Sequence, residues 1–110
     1  MARKRALLPI NEVNRIAAGR EGSLIIDVRT EAEYESGHLP GARLHPHQRI
    51  ALTLTEEAPD LGTPLILYSR TGRRSSKACQ LLRQLGYTDV SDAGGIVDYT
   101  GILEFGRARG

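Results

Sequence analysis

Leu65-Ile66-Leu67-Tyr68-Ser69-Arg70-Thr71-Gly72-Arg73-Arg74-Ser75 is the stretch from which the fold is read. Its first four residues form a continuous apolar run, the pattern of a strand buried on both faces. Beyond Ser75, residues Ala78, Leu81, Leu82 and Leu85 recur at helical spacing, which predicts an amphipathic helix over 73–85. A strand that passes through a tight glycine-containing loop straight into a helix gathers unpaired backbone N–H groups at one spot. The positive end of the helix dipole adds to them, and the junction becomes an anion seat. Arg70, Arg73 and Arg74 bring three guanidinium groups to it. Thr71 and Gly72 bring backbone, with Gly72 able to take a positive φ, and Ser75 stands in the first helical turn. The residue at the mouth of this loop is a serine, Ser69.

Upstream, Leu24-Ile25-Ile26-Asp27-Val28 is a second buried-strand run, and Ile10, Val13, Ile16 and Ala17 predict a helix over 10–18 that stops at Gly19. Thr30 with Glu33 is a capping-box pair, so a short helix should run from Glu31 to Ser36 and end at Gly37. Pro40-Gly41 reads as a turn, Ala42 to Leu44 as a brief strand, and Ala51 to Ala58 as a short helix. Downstream, Gly86 suits a left-handed helix cap with Tyr87 folding back on Leu82. Thr88 to Ser91 reads as the last strand, and Ala93-Gly94-Gly95 as a turn into a final segment over 96–99. Strands alternating with helices predict an α/β domain with a mostly parallel sheet. Such sheets bind ligands at the carboxyl ends of their strands, which is where residues 69–75 fall.

With 110 residues the chain is one domain, read as 8–104; it is 40% hydrophobic and 25% charged, with a net charge of +2. Basic residues cluster at the ends, Arg3-Lys4-Arg5 and Arg107 with Arg109, so 1–7 and 105–110 read as solvated, flexible basic termini. No Trp and a single Phe make poor material for stacking bases, and no nucleic-acid partner is expected. One cysteine, Cys79, excludes an intrachain disulfide; it lies four after Ser75 and three before Leu82, on the inward row of the helix, and reads as core. No apolar stretch reaches signal-peptide or membrane-span length, so the expectation is a cytoplasmic protein, or a periplasmic one if an export signal has been removed. Arg29 and Glu33, four apart at a strand-to-helix corner, are expected to pair, and His38 to bond nearby backbone. His45 and His47 lack a third ligand nearby, so no metal site is expected. Tyr34, Tyr68, Tyr87 and Tyr99 read as core or rim.

Several blocks stand in a set order: Asp27-Val28-Arg29, Glu33-Tyr34, Gly37-His38-Leu39-Pro40-Gly41-Ala42, the Ser69–Ser75 loop, then Gly94-Gly95. Together, over about residues 8 to 100, they resemble a rhodanese (thiosulfate sulfurtransferase) domain. The ending Asp92-Ala93-Gly94-Gly95-Ile96-Val97-Asp98 is similar to the single-domain phage-shock type, without the tryptophan that many of its members carry. The resemblance implies a three-layer α/β/α domain around a five-stranded, mostly parallel sheet. It also implies no cofactor, a small anionic sulfur donor such as thiosulfate, and a thiol acceptor that can be a protein. In active members a cysteine opens the loop, takes the outer sulfur of thiosulfate as a persulfide, and passes it to cyanide or a thiol.

Ser69 occupies that catalytic position, and Arg70, Thr71, Gly72, Arg73, Arg74 and Ser75 occupy the substrate-binding ones, with Arg74 matching the loop-closing arginine. A hydroxyl is far harder to ionise than a thiol, so the expectation is an intact anion seat without persulfide turnover. Three readings of Ser69 stay open: a deliberate Cys-to-Ser change in an active enzyme, a natural relative that only binds an anion or a protein partner, and a serine nucleophile. The last lacks a histidine nearby in sequence and the G-x-S-x-G elbow. Four residues separate Ser69 from Arg74, the sulfurtransferase length, one fewer than in the dual-specificity phosphatases that share the fold.

Overall fold

A computed structural model of the chain describes residues 7–107. Four strands form one parallel sheet in the order β2-β1-β3-β4: β1 is Leu24–Asp27, β2 Arg43–Leu44, β3 Leu65–Ser69 and β4 Val90–Gly95. The helices are α1 (Val13–Ala18, entered through a 3₁₀ turn at Ile10–Glu12), α2 (Glu31–Glu35), α3 (Ile50–Glu57) and α4 (Arg73–Gln84). No helix among the described residues is long and apolar enough to cross a membrane.

The period of two along β3 builds the layers. Leu65 and Leu67 point to one face, where they meet Ile26 and Val28 of the β1 region, Ile50 and Leu54 of α3, and Ala78, Cys79 and Leu82 of α4. Ile66 and Tyr68 point to the other, where they meet Val13 of α1, Tyr34 of α2, and Leu39 and Ala42. Every residue of β3 is buried, as a central strand covered on both faces must be. This is a three-layer α/β/α sandwich.

The expected fifth strand is absent among the described residues; four strands replace the five. Beyond β4 the described residues offer a single backbone bond, from the Leu8 N–H to the Asp92 carbonyl at 2.9 Å. Pro9 has no N–H to continue a ladder, and a 3₁₀ turn begins at once. The last strand also differs from its expected span. It starts at Val90 rather than Thr88 and runs on through Ala93-Gly94-Gly95, which is strand and not turn. Leu67 pairs with Asp92 but Ser69 with Gly95, so β4 carries one extra residue, a bulge opposite Tyr68.

Other expectations hold with small shifts. Thr30 and Glu33 form a complete capping box on α2. Gly86 takes φ +109°, and Tyr87 donates its N–H to the Leu82 carbonyl at 3.1 Å while its ring packs in the core. The inward row of α4 is Ser75, Ala78, Cys79 and Leu82, and Leu85 is largely exposed. Residues 1–6 and 108–110, most of the expected flexible termini, lie outside the described residues. At the end that is described, Glu104 exchanges both backbone hydrogen bonds with His38, and the Gly106 N–H reaches the Glu35 carbonyl at 3.0 Å.

Candidate active site

Strand parity decides which side chains meet. Ser69 is two residues beyond Leu67, so it points to the α4 face of the sheet, and Asp92, registered with Leu67, points there too. Ser75, in the first turn of α4, points back at both. The result is a buried polar chain. The Ser69 hydroxyl donates to Ser75 Oγ at 3.2 Å, and the Ser75 hydroxyl donates to Asp92 Oδ1 at 2.8 Å. That carboxylate oxygen also accepts the Gly94 N–H at 2.9 Å. Ser69, Ser75 and Asp92 are each at most 3% exposed.

Two backbone N–H groups converge on Ser69 Oγ, from Gly72 at 3.0 Å and from Ser75 at 3.1 Å. Gly72 makes this convergence: at φ +98° it turns the loop back on the strand end, a conformation a side chain resists. Gly95 makes room for it. A Cβ there would stand 2.5 Å from the Arg70 carbonyl oxygen and 2.7 Å from Thr71 Cα, so the loop can cross β4 only over a glycine. The Arg73 and Arg74 N–H groups, at the start of α4, have no hydrogen-bond partner among the described residues. These are the orphan donors that the strand–loop–helix pattern announces.

The three arginines are not equivalent. Arg70 and Arg73 are exposed and carry no ion pair among the described residues. Arg74 forks onto Glu33 of α2, Nη1 to Oε1 at 2.7 Å and Nη2 to Oε2 at 3.0 Å. The Arg74 guanidinium, helped by the Thr30 backbone N–H, lowers the Glu33 carboxyl from its usual value to about 2. Glu33 therefore does not pair with Arg29, contrary to expectation. Arg29 folds inward onto Asp27 at 2.7 Å, because burial leaves it no solvent and Asp27 is the buried carboxylate within reach. Burial alone would pull Arg29 downward, but the hydrogen bond and charge of Asp27 outweigh it and raise its pKa.

Asp27 also accepts the Tyr68 hydroxyl at 2.8 Å, and that hydroxyl accepts the Leu39 N–H at 3.0 Å. Burial, with the Asp27 charge, pushes the Tyr68 phenol far above its ordinary value. Arg29 Nη2 donates to the Gly37 carbonyl at 2.6 Å. This cluster ties the end of β1 to the Gly37–Pro40 corner and to β3, one residue before Ser69.

The remaining singled-out residues are structural in this geometry. His38 stacks on Tyr34 with ring centroids 3.7 Å apart, and its Nδ1 bonds the Tyr34 carbonyl at 2.8 Å. His45 is held by Thr53 at 2.8 Å and Glu57 at 2.5 Å. Cys79 is buried, with its Sγ 3.7 Å from the Ser91 carbonyl. Asp92 is the site residue that sequence reasoning missed. Its signal was the period of two: carried past Ser91, the strand places residue 92 on the same face as Ser69.

The Rhodanese-like domain profile matches residues 11–101. This chain belongs to the rhodanese-like family. It is 34% identical over 73 residues to the thiosulfate sulfurtransferase PspE of Escherichia coli (strain K12), covering 66% of this chain and 70% of that protein. It is 37% identical over 81 residues to a sulfurtransferase of Allochromatium vinosum, covering 73% of this chain and 74% of that one. Among solved structures, a rhodanese with anions from E. coli superposes with a TM-score of 0.71 at 31% identity, over 76% of this chain and 99% of that chain.

Proposed function

We propose that this rhodanese-like domain seats a small anionic sulfur donor such as thiosulfate at the 69–75 loop, and that with Ser69 in place it does not turn sulfur over. The observation that carries this reading is the convergence of the Gly72 and Ser75 N–H groups on the Oγ of residue 69. Donors aimed at a sulfur in that place would hold a thiolate and lower its pKa. Aimed at a hydroxyl, they hold an oxygen that keeps its proton and attacks sulfur poorly. The unpaired N–H groups of Arg73 and Arg74 and the open guanidinium groups of Arg70 and Arg73 supply the anion's counter-charge. Relatives named as thiosulfate sulfurtransferases and a neighbour solved with anions support the choice of ligand class.

A serine-hydrolase reading has less to stand on. The hydrogen-bond partners of the Ser69 hydroxyl are Gly72 and Ser75, and none of the three histidines is among them. The second reading we retain is a binding module that presents the same seat to an acidic or sulfur-bearing group of a partner protein. It is favoured by Arg70 and Arg73, which are exposed beside the loop with Lys77 on the next turn of α4.

The test is thiosulfate binding by calorimetry together with thiosulfate:cyanide transfer, on the chain with Ser69 and on Ser69→Cys. Binding by both and transfer by Ser69→Cys alone is the expected result. Binding by both with transfer by neither would favour the binding module. Failure of both to bind thiosulfate would overturn the seat itself.

A further inference from the structure

We infer that Asp92 is a positioning residue which, through Ser75, controls whether the group at position 69 keeps its proton. Ser75 Oγ has one hydrogen and is surrounded by acceptors: Asp92 Oδ1 at 2.8 Å, the Gly72 carbonyl at 3.2 Å and the Gly94 carbonyl at 3.5 Å. The shortest of these is also the charged one, so the hydrogen goes to Asp92. Toward residue 69, 3.2 Å away, Ser75 then has only lone pairs to offer. It demands a donor there. Ser69 satisfies the demand with its O–H, while accepting the Gly72 and Ser75 N–H groups on its own lone pairs.

A thiolate in the same place has no hydrogen to give. Ser75 would have to swing its proton away from Asp92, leaving a buried carboxylate with the Gly94 N–H as its remaining partner, or else face the anion with a lone pair. The site therefore contains opposed controls on one atom. The N–H pair favours an anion at 69, and the Asp92–Ser75 pair favours a protonated group. The serine-bearing chain is consistent with the second control, since the Ser69 and Ser75 hydroxyls each have an acceptor for their hydrogen and Asp92 Oδ1 has its donors.

The bulge in β4 makes the arrangement. The extra residue after Asp92 brings the Gly94 N–H back onto the carboxylate, which fixes Oδ1 between α4 and the strand. Among the described residues, the charged groups lining the surface shared with Asp92 are Arg73 and Lys77 of α4, with Arg70 in the loop beside them. All three are cations that favour an anion at 69, and among the described residues Asp92 is the negative charge on this surface.

The inference shares with the proposed function the premise that residue 69 is the reacting position, but its readout is a proton and not sulfur transfer. Thiolate absorbance is titrated against pH in Ser69→Cys and in Ser69→Cys with Asp92→Asn, both carrying Cys79→Ala. Asn keeps an oxygen to accept from Ser75 and Gly94 and removes the charge. The expected result is a downward shift of about one pH unit in the thiol titration with Asp92→Asn, a tenfold gain in thiolate at a fixed pH below both midpoints. Ser75→Ala in both backgrounds completes a double-mutant cycle, and in its presence the Asp92→Asn shift should shrink to less than half. An unchanged titration in a folded Asp92→Asn protein would overturn the inference. So would a shift of the same size with and without the Ser75 hydroxyl, which would make Asp92 a distant charge and no relay. If Asp92→Asn does not fold, Ser75→Ala alone must still lower the thiol pKa for the inference to stand.

Discussion

Two carboxylates are buried at the same end of the sheet, on opposite faces, and they are compensated in different ways. Asp27, on the α2 face, is met by the Arg29 guanidinium and the Tyr68 hydroxyl. Asp92, on the α4 face, is met among the described residues only by neutral donors, the Ser75 hydroxyl and the Gly94 N–H. The first cluster is electrically closed and joins three segments, which makes it a rivet. The second leaves a negative charge next to a seat built for anions. A buried charge paired with a fixed cation is silent toward a ligand, whereas one held by hydroxyls passes its influence along them.

That contrast can be broken most forcefully by neutralising each carboxylate in turn. Asp27→Asn strands the Arg29 guanidinium in the interior and should cost about 3–5 kcal/mol, the usual penalty for removing one partner of a buried pair. Asp92→Asn strands no cation and keeps its acceptor, so denaturant titration should place it within about 1.5 kcal/mol of the unsubstituted chain. Equal losses would mean that the two sites are both structural. Gly95→Ala comes next, since its methyl would enter the Arg70 and Thr71 backbone. Overpacking of that kind costs about 1–3 kcal/mol, and thiosulfate binding should fall with it because the loop is displaced.

Tyr68→Phe sharpens the rivet. It leaves the Leu39 N–H without an acceptor and takes one donor from Asp27, for a loss of about 1–3 kcal/mol in thermal or chemical unfolding. Thiol titration in a Ser69→Cys background should not move, because the cluster lies on the other face. The smallest effect belongs to Glu33. Its carboxyl is lowered to about 2 from 4.5, so the stability it contributes is fully present above the unfolded value and is lost as pH falls toward 2. The Arg74 pair is half-buried, with 28% and 29% of its two side chains exposed, and solvent screening holds that contribution to roughly 1 kcal/mol. Glu33→Gln should therefore flatten the stability profile only below pH 4.5. It should also tighten anion binding modestly, by freeing the Arg74 fork.

Much of this was legible in the residues themselves. The apolar run into Gly72 and the helical spacing after it placed the loop, and the Thr30–Glu33 box placed α2 to within a residue. What escaped has physical causes. Ala93-Gly94-Gly95 reads as a turn by local preference, yet it is strand because the loop needs side-chain-free backbone to cross, and only the pairing with β3 reveals that need. Asp92 went unnoticed for the same reason. Arg29 was assigned to Glu33 by spacing along the chain, whereas burial turned it toward Asp27 and left Glu33 to an arginine 41 residues away. Among the described residues the fifth strand fails at Pro9, where the ladder has no donor.

The central claim concerns a single atom. Treating Ser69→Cys with thiosulfate and mapping the products by peptide mass spectrometry should show one added sulfur on the peptide spanning position 69, none on the peptide carrying Cys79, and none anywhere on the chain with Ser69. An added sulfur on Cys79, or an unmodified thiol at position 69 in a protein that binds thiosulfate, would contradict the account.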